Sequence, residues 1–180
     1  SLEGLFPPGS TFKVVTTAAA LDTGVVGPEE IVPCPASITV SGRTIPNDDD
    51  FALGPVPLET AFARSCNTSQ AVISDRLAPE AMRDTAARLG LGVDFSTPGL
   101  TTITGQVPVT EQGPARVEAA IGQGEVLASP FGMAVMTASL ANGGRMIVPQ
   151  VIDGMPAVPN QTPEPLPQSV VDTLRRYMEQ

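Results

Sequence analysis

The stretch Pro7-Pro8-Gly9-Ser10-Thr11-Phe12-Lys13 decides how the rest of this 180-residue chain is read. Pro-Pro-Gly breaks the backbone and Ser10 follows as a natural N-cap. Residues 11 to 22 then carry a helical period, with Phe12, Val15, Ala19 and Leu21 available for the buried face. Ser10 and Lys13 stand three residues apart at that helix start, which puts both side chains on one face of its first turn. Lys13 is the only lysine, the other nine basic residues are arginines, and there is no histidine. The last absence excludes Ser-His-Asp and Cys-His catalysis and imidazole-ligated zinc. A hydrolytic or acyl-transfer site must then find another base, and lysine can serve once it loses its proton, which arginine does not. At a reference pKa near 10.4 only about 0.04% of a lysine is neutral at pH 7, so the value must fall by about 3. Desolvation and the positive end of the helix dipole push that way, and the acidity of the chain opposes them. On spacing alone, Ser10 reads first as a simple cap and only second as a nucleophile; the Pro-Pro-Gly helix start and the single lysine favour the second.

Working outward, Ser41-Gly42 between residues 38–40 and 43–45 reads as a hairpin turn. A helix is expected from Pro57 to about Ser65, a second from Thr68 as cap to about Leu77, and a third from Pro79 to Leu89-Gly90. Ser65-Cys66-Asn67 falls on the break between the first two, where it can be a proton-relaying, amide-binding turn or merely a capping turn. Residues 92 to 115 show no sustained period and read as a long loop. Ser129-Pro130 opens the clearest helix, Phe131 to Asn142, stopped by Gly143-Gly144. Met146 to Ile152 reads as a strand broken by Pro149, and five prolines between 156 and 167 as a stiff extended connection. The last helix, Gln168 to Glu179, offers Val170, Val171, Leu174 and Met178 to the core. The expectation is a mainly α chain with short β segments.

Two cysteines exclude an all-thiolate zinc site, and the net charge of −9 is a poor match for a phosphate backbone, so no nucleic-acid partner is expected. Asp48-Asp49-Asp50 reads as a solvated loop rather than a cation site. No apolar run approaches the ~18 residues of a membrane span. The start Ser-Leu-Glu-Gly has no signal-peptide pattern and reads as a piece of something longer, with any anchor outside it.

Together, Leu5-Phe6-Pro7-Pro8-Gly9-Ser10-Thr11-Phe12-Lys13 and Ser65-Cys66-Asn67-Thr68 resemble the first two active-site motifs of penicillin-binding protein transpeptidases. Ala120-Ile121-Gly122-Gln123-Gly124, then Ser129-Pro130-Phe131-Gly132-Met133-Ala134 and Ala141-Asn142-Gly143-Gly144, are similar to the family's Gly-Gln-Gly loop, following helix and helix stop. The resemblance runs from Leu5 to about Met178 and is nearest to monofunctional (class B) enzymes of actinobacterial flavour. The family's third motif, Lys-Thr-Gly, is absent. Residues 1–180 are therefore expected to be a partial domain: the helical subdomain of the α/β fold shared with serine β-lactamases, its central sheet largely missing from this chain.

The resemblance implies a D,D-transpeptidase that cross-links peptidoglycan stem peptides through a serine acyl-enzyme and is trapped by β-lactam antibiotics. Ser10 would be the nucleophile, Lys13 its general base, Ser65 the proton relay to the leaving group, and Asn67 the residue holding the substrate's amide side chain. Gln123 and Gly124 are taken as structural support. No cofactor and no metal are implied. The partners would be stem peptides, β-lactams and a glycan polymerase of the cell-wall machinery, at the extracytoplasmic face of the bacterial membrane. Two other readings stay open: a serine β-lactamase-like hydrolase, although no glutamate here is followed four residues later by asparagine, and a non-catalytic binding fragment. Cys34 and Cys66 either pair, as suits a protein outside the cytoplasm, or remain two buried thiols.

Overall fold

The computed structural model describes residues 4–180. Its organising element is helix α1 (Lys13–Thr23), in which Lys13, Val15, Thr16, Thr17 and the run Ala18-Ala19-Ala20 are all buried. A helix this small-sided can be enclosed on several faces at once. The other helices are α2 (Leu58–Ala63), α3 (Asn67–Ser74), α4 (Ala81–Arg88), α5 (Pro114–Ala120), α6 (Pro130–Ala141) and α7 (Gln168–Met178). Of these, α3, α4 and α7 pack directly on α1. Most polar groups that this encloses are paired, as burial favours, with Gln70 Oε1 a buried exception. Thr16 Oγ1 donates to Ala120 O at 2.8 Å, and Gln70 Nε2 donates to Thr17 Oγ1 at 3.1 Å.

The strands are short and every pairing is antiparallel. They are β1 (Ile31–Val32), β2 (Ser37–Val40), β3 (Arg43–Pro46), β4 (Val56–Pro57), β5 (Asp94–Thr97), β6 (Leu100–Ile103), β7 (Gly105–Gln106), β8 (Leu127–Ala128), β9 (Gln150–Ile152), β10 (Met155–Pro156) and β11 (Val158–Pro159). Among the described residues the widest sheet has three strands, β11-β5-β6. The hairpin expected around Ser41-Gly42 is β2-β3, and both turn residues have positive φ (49° and 81°), as a tight hairpin demands.

Several expectations need correction. Ser10 is not a helix cap: a 3₁₀ turn over Gly9–Phe12 precedes α1, and neither the turn nor the helix has a side-chain cap. The cap of α3 is Cys66, whose sulfur accepts from Ser69 N, and not Thr68. Residues 92 to 115 are not one loop, because β5, β6 and β7 lie within them and α5 begins at Pro114. Only Phe95 of the β5-β6 hairpin is buried, so no alternation was there to be read. The strand expected over 146–152 is confined to β9. Within the proline-rich connection, β10 and β11 do form. In α7 it is Tyr177 that is buried, donating through its hydroxyl to Pro28 O at 2.5 Å, while Met178 lies 52% exposed. The α6 reading holds: Ser129 Oγ accepts from Gly132 N at 2.9 Å, Pro130 stands in the first turn, and the helix ends before Gly143-Gly144.

Candidate active site

Lys13 opens α1 on the side facing the α2–α3 break, and its side chain is buried. Its Nζ donates to Ser65 Oγ at 2.7 Å and to Ser65 O at 3.0 Å. Burial pushes the ammonium down from the ordinary 10.5 to about 8, against the opposing pull of the Asp48 carboxylate. A neutral amine held 2.7 Å from a hydroxyl can exchange a proton with it in either direction.

Ser65 is presented by a strained backbone. Its φ of 54° lies in the left-handed region, which costs a non-glycine residue about 1 kcal/mol or more. The surroundings hold it there: Ser65 N donates to Phe62 O at 3.0 Å and Cys66 N to Ala61 O at 2.9 Å. The next residue is tied covalently, because Cys34 and Cys66 form a disulfide. Around that bond, Thr68 Oγ1 donates to Pro35 O at 2.9 Å and Ser69 Oγ to Pro33 O at 2.6 Å. Buried Asn47 completes the frame. Its Nδ2 donates to Pro35 O at 2.8 Å and Phe51 O at 2.9 Å, and its Oδ1 accepts from Thr68 N at 3.1 Å. Of the two readings of the cysteines, the paired one is found. The bridge closes a loop across a sequence separation of 32. A loop of that size stabilises the fold by about 3.7 kcal/mol, chiefly through the unfolded chain. Denaturant unfolding of the oxidised and the reduced, alkylated full-length protein should differ by that amount, and reduction should add about two mass units. Equal midpoints would remove the bridge from the stability of the fold.

The family model described as penicillin binding protein transpeptidase domain matches residues 1–180. The chain belongs to this family. Peptidoglycan D,D-transpeptidase PbpA of Mycobacterium tuberculosis (strain CDC 1551 / Oshkosh) is 36% identical over 160 residues, a match covering 83% of this chain and 31% of PbpA. The chain thus spans less than a third of that relative's length. Among solved structures, Pseudomonas aeruginosa PBP2 in complex with WCK 5153 matches with a TM-score of 0.81 at 29% identity, covering 99% of this chain and 45% of that one. The imipenem acyl-enzyme complex of penicillin-binding protein A from M. tuberculosis matches with a TM-score of 0.81 at 27% identity, covering 98% and 44%.

In this transpeptidase-family chain the four residues singled out from sequence take different places. Lys13 and Ser65 are brought together. Ser10 sits exposed on the 3₁₀ turn one step before Lys13, and no hydrogen bond links its hydroxyl to either. Asn67, half-buried at the start of α3, donates through Nδ2 to Pro46 O at 3.1 Å. Gln123 and Gly124 lie in the connection between α5 and β8, where Gln123 N donates to Glu118 O at 3.0 Å. Sequence reading does not single out Asn47 and reads Asp48 only as part of a solvated loop. Their signal was the hairpin just before them: Asn47 N donates to Ala36 O at 2.9 Å, which carries both residues to the Ser65 turn. The acidic run 48–50 is an exposed turn, yet Asp48 acts on Lys13.

Proposed function

We propose that this chain is the nucleophile-bearing helical part of a class B peptidoglycan D,D-transpeptidase. The single observation that carries the reading is the buried Lys13 amine, 2.7 Å from Ser65 Oγ, one turn after an exposed serine. Ser10 Oγ attacks the penultimate D-Ala carbonyl of a stem peptide and gives its proton to the Lys13 amine. The tetrahedral intermediate collapses, the C–N bond to the terminal D-Ala breaks, and Ser65 relays the proton to the departing amine. An amine of a neighbouring stem then attacks the acyl-enzyme and returns a proton to Ser10. Asn67 holds the amide of the substrate once its Nδ2 leaves Pro46 O. β-Lactams acylate Ser10 by the same attack.

Residues 1–180 are a partial domain on this reading. The three-stranded limit of the described sheets agrees with a central sheet supplied by chain outside these residues. So does the lack of a second lysine for a Lys-Thr-Gly motif. No helix among the described residues is long and apolar enough to cross a membrane. The protein works at the extracytoplasmic face of the membrane beside a glycan polymerase, held by an anchor outside this segment.

The test is acylation of the full-length protein by a labelled penicillin. Mass spectrometry should place one slowly lost adduct on the peptide that contains Ser10. No adduct, or an adduct elsewhere, overturns the assignment. Rapid loss from Ser10 identifies a β-lactamase instead.

A further inference from the structure

Ser10 rides on a turn that is held from outside itself. Among the described residues the one side-chain bond of the turn, Thr11 Oγ1 to Pro8 O at 2.9 Å, is local. The external fastening is backbone to backbone and comes from residues 122–128. Gly9 N donates to Gly122 O at 2.9 Å, and Phe6 and Ala128 exchange two bonds, each 2.9 Å. At Gly122, with φ +74°, an added Cβ would lie 2.0 Å from Gly9 O, 2.7 Å from Gly9 N and 2.8 Å from Gly9 C. These are main-chain atoms and cannot swing aside as a side chain does. Gly124 has nearly the same φ, +67°, but a Cβ there would meet only the Glu118 side chain, nearest at 3.1 Å. The two glycines share their backbone conformation, and only Gly122 touches the turn that carries Ser10.

The consequence follows from peptide planarity. Gly9 C=O and Ser10 N–H belong to one rigid peptide unit, so anything that tips the carbonyl tips the N–H with it. The backbone N–H of an attacking serine is a donor available to the oxyanion that its attack creates. We propose that Gly122 is a positioning residue for Ser10, its missing side chain letting the 122–128 segment set the Gly9–Ser10 peptide. This rests on Ser10 being the nucleophile.

The experiment compares penicillin acylation of full-length Gly122→Ala and Gly124→Ala across pH, with melting temperatures measured alongside. Both variants carry the same left-handed alanine. Gly122→Ala should acylate about a hundredfold more slowly than Gly124→Ala, the scale of a misplaced oxyanion donor. Its rate should titrate with the same pH midpoint as wild type, because Lys13 is untouched. Equal rates in the two variants, or a shifted midpoint in Gly122→Ala alone, overturn the proposal. A second pair decides if Gly122→Ala is not recovered folded. Phe6→Pro loses the N–H given to Ala128 O, whereas Phe6→Ala keeps it; a rate at least fivefold lower in the proline variant supports the clamp, and equal rates overturn it. Failure of the underlying assignment is separate, since it would appear in wild type as no adduct on Ser10.

Discussion

Replacing Lys13 with methionine should slow penicillin acylation of the full-length protein by about a thousandfold, the scale of a lost general base, and leave the fold in place. Methionine matches the apolar length of the lysine stem and fills the same buried slot beside Ser65. Lys13→Arg should be as slow, and it is the more informative variant. Arginine keeps a cation and the donors that Ser65 accepts, but it does not give up its proton. An arginine variant within tenfold of wild type would show that the site needs a charge at this position and not a base. The wild-type rate should climb through a midpoint of about pH 8, where the ammonium gives up its proton. The same shift acts on stability. The folded state holds Lys13 with a pKa of about 8 and the unfolded chain with one near 10.5, so between those values the unfolded state binds more protons. Stability therefore carries the full cost of the buried ammonium below about pH 8 and gains as pH rises toward 10.5. Lys13→Met should lose that rise.

The second large effect is expected at Arg116, a buried residue of α5 whose guanidinium is spent on main-chain carbonyls. Its Nε and Nη2 donate to Thr110 O at 3.1 and 2.9 Å, and its Nη1 to Leu77 O at 2.7 Å. One fork thus ties the segment before α5 to the end of the α3 region. Thr110 N, donating to Pro79 O at 3.0 Å, closes the same seam. Charge-assisted bonds of this kind contribute about 1.5–3 kcal/mol each, and truncation leaves two buried carbonyls unpaired. Arg116→Met should lower the unfolding free energy of the full-length protein by about 4–5 kcal/mol in denaturant titrations. Arg116→Lys should recover only part, because one ammonium cannot reproduce a planar fork aimed at two strands of chain. A loss under about 1.5 kcal/mol for the methionine variant would mean that water replaces the fork at no great cost.

What could be read in advance was whatever depends on neighbours in sequence. Ser10 and Lys13 are three residues apart, and the serine-proline start and double-glycine stop of α6 are local signals too. The Lys13–Ser65 pairing spans 52 residues and was accessible only through a resemblance to other chains. Asp48 reads as a solvated acid and is one, and its influence on Lys13 exists only after the hairpin folds back. Arg116 gave no sign, since its partners are backbone carbonyls, which every residue carries. The β5-β6 hairpin stayed hidden for a different reason: strands with one buried side chain carry almost no periodic pattern.

The position of the disulfide also bears on how the molecule is made. With two cysteines there is a single intramolecular way to pair them within these 180 residues. Between these two cysteines, oxidation therefore calls for an electron acceptor and offers no alternative pairing. Because Cys66 lies between Ser65 and Asn67, a preparation recovered from a reducing compartment would lack the bond beside the turn assigned to the proposed acylation chemistry. Inhibitor potencies measured on such material should be compared only after oxidation has been verified by mass.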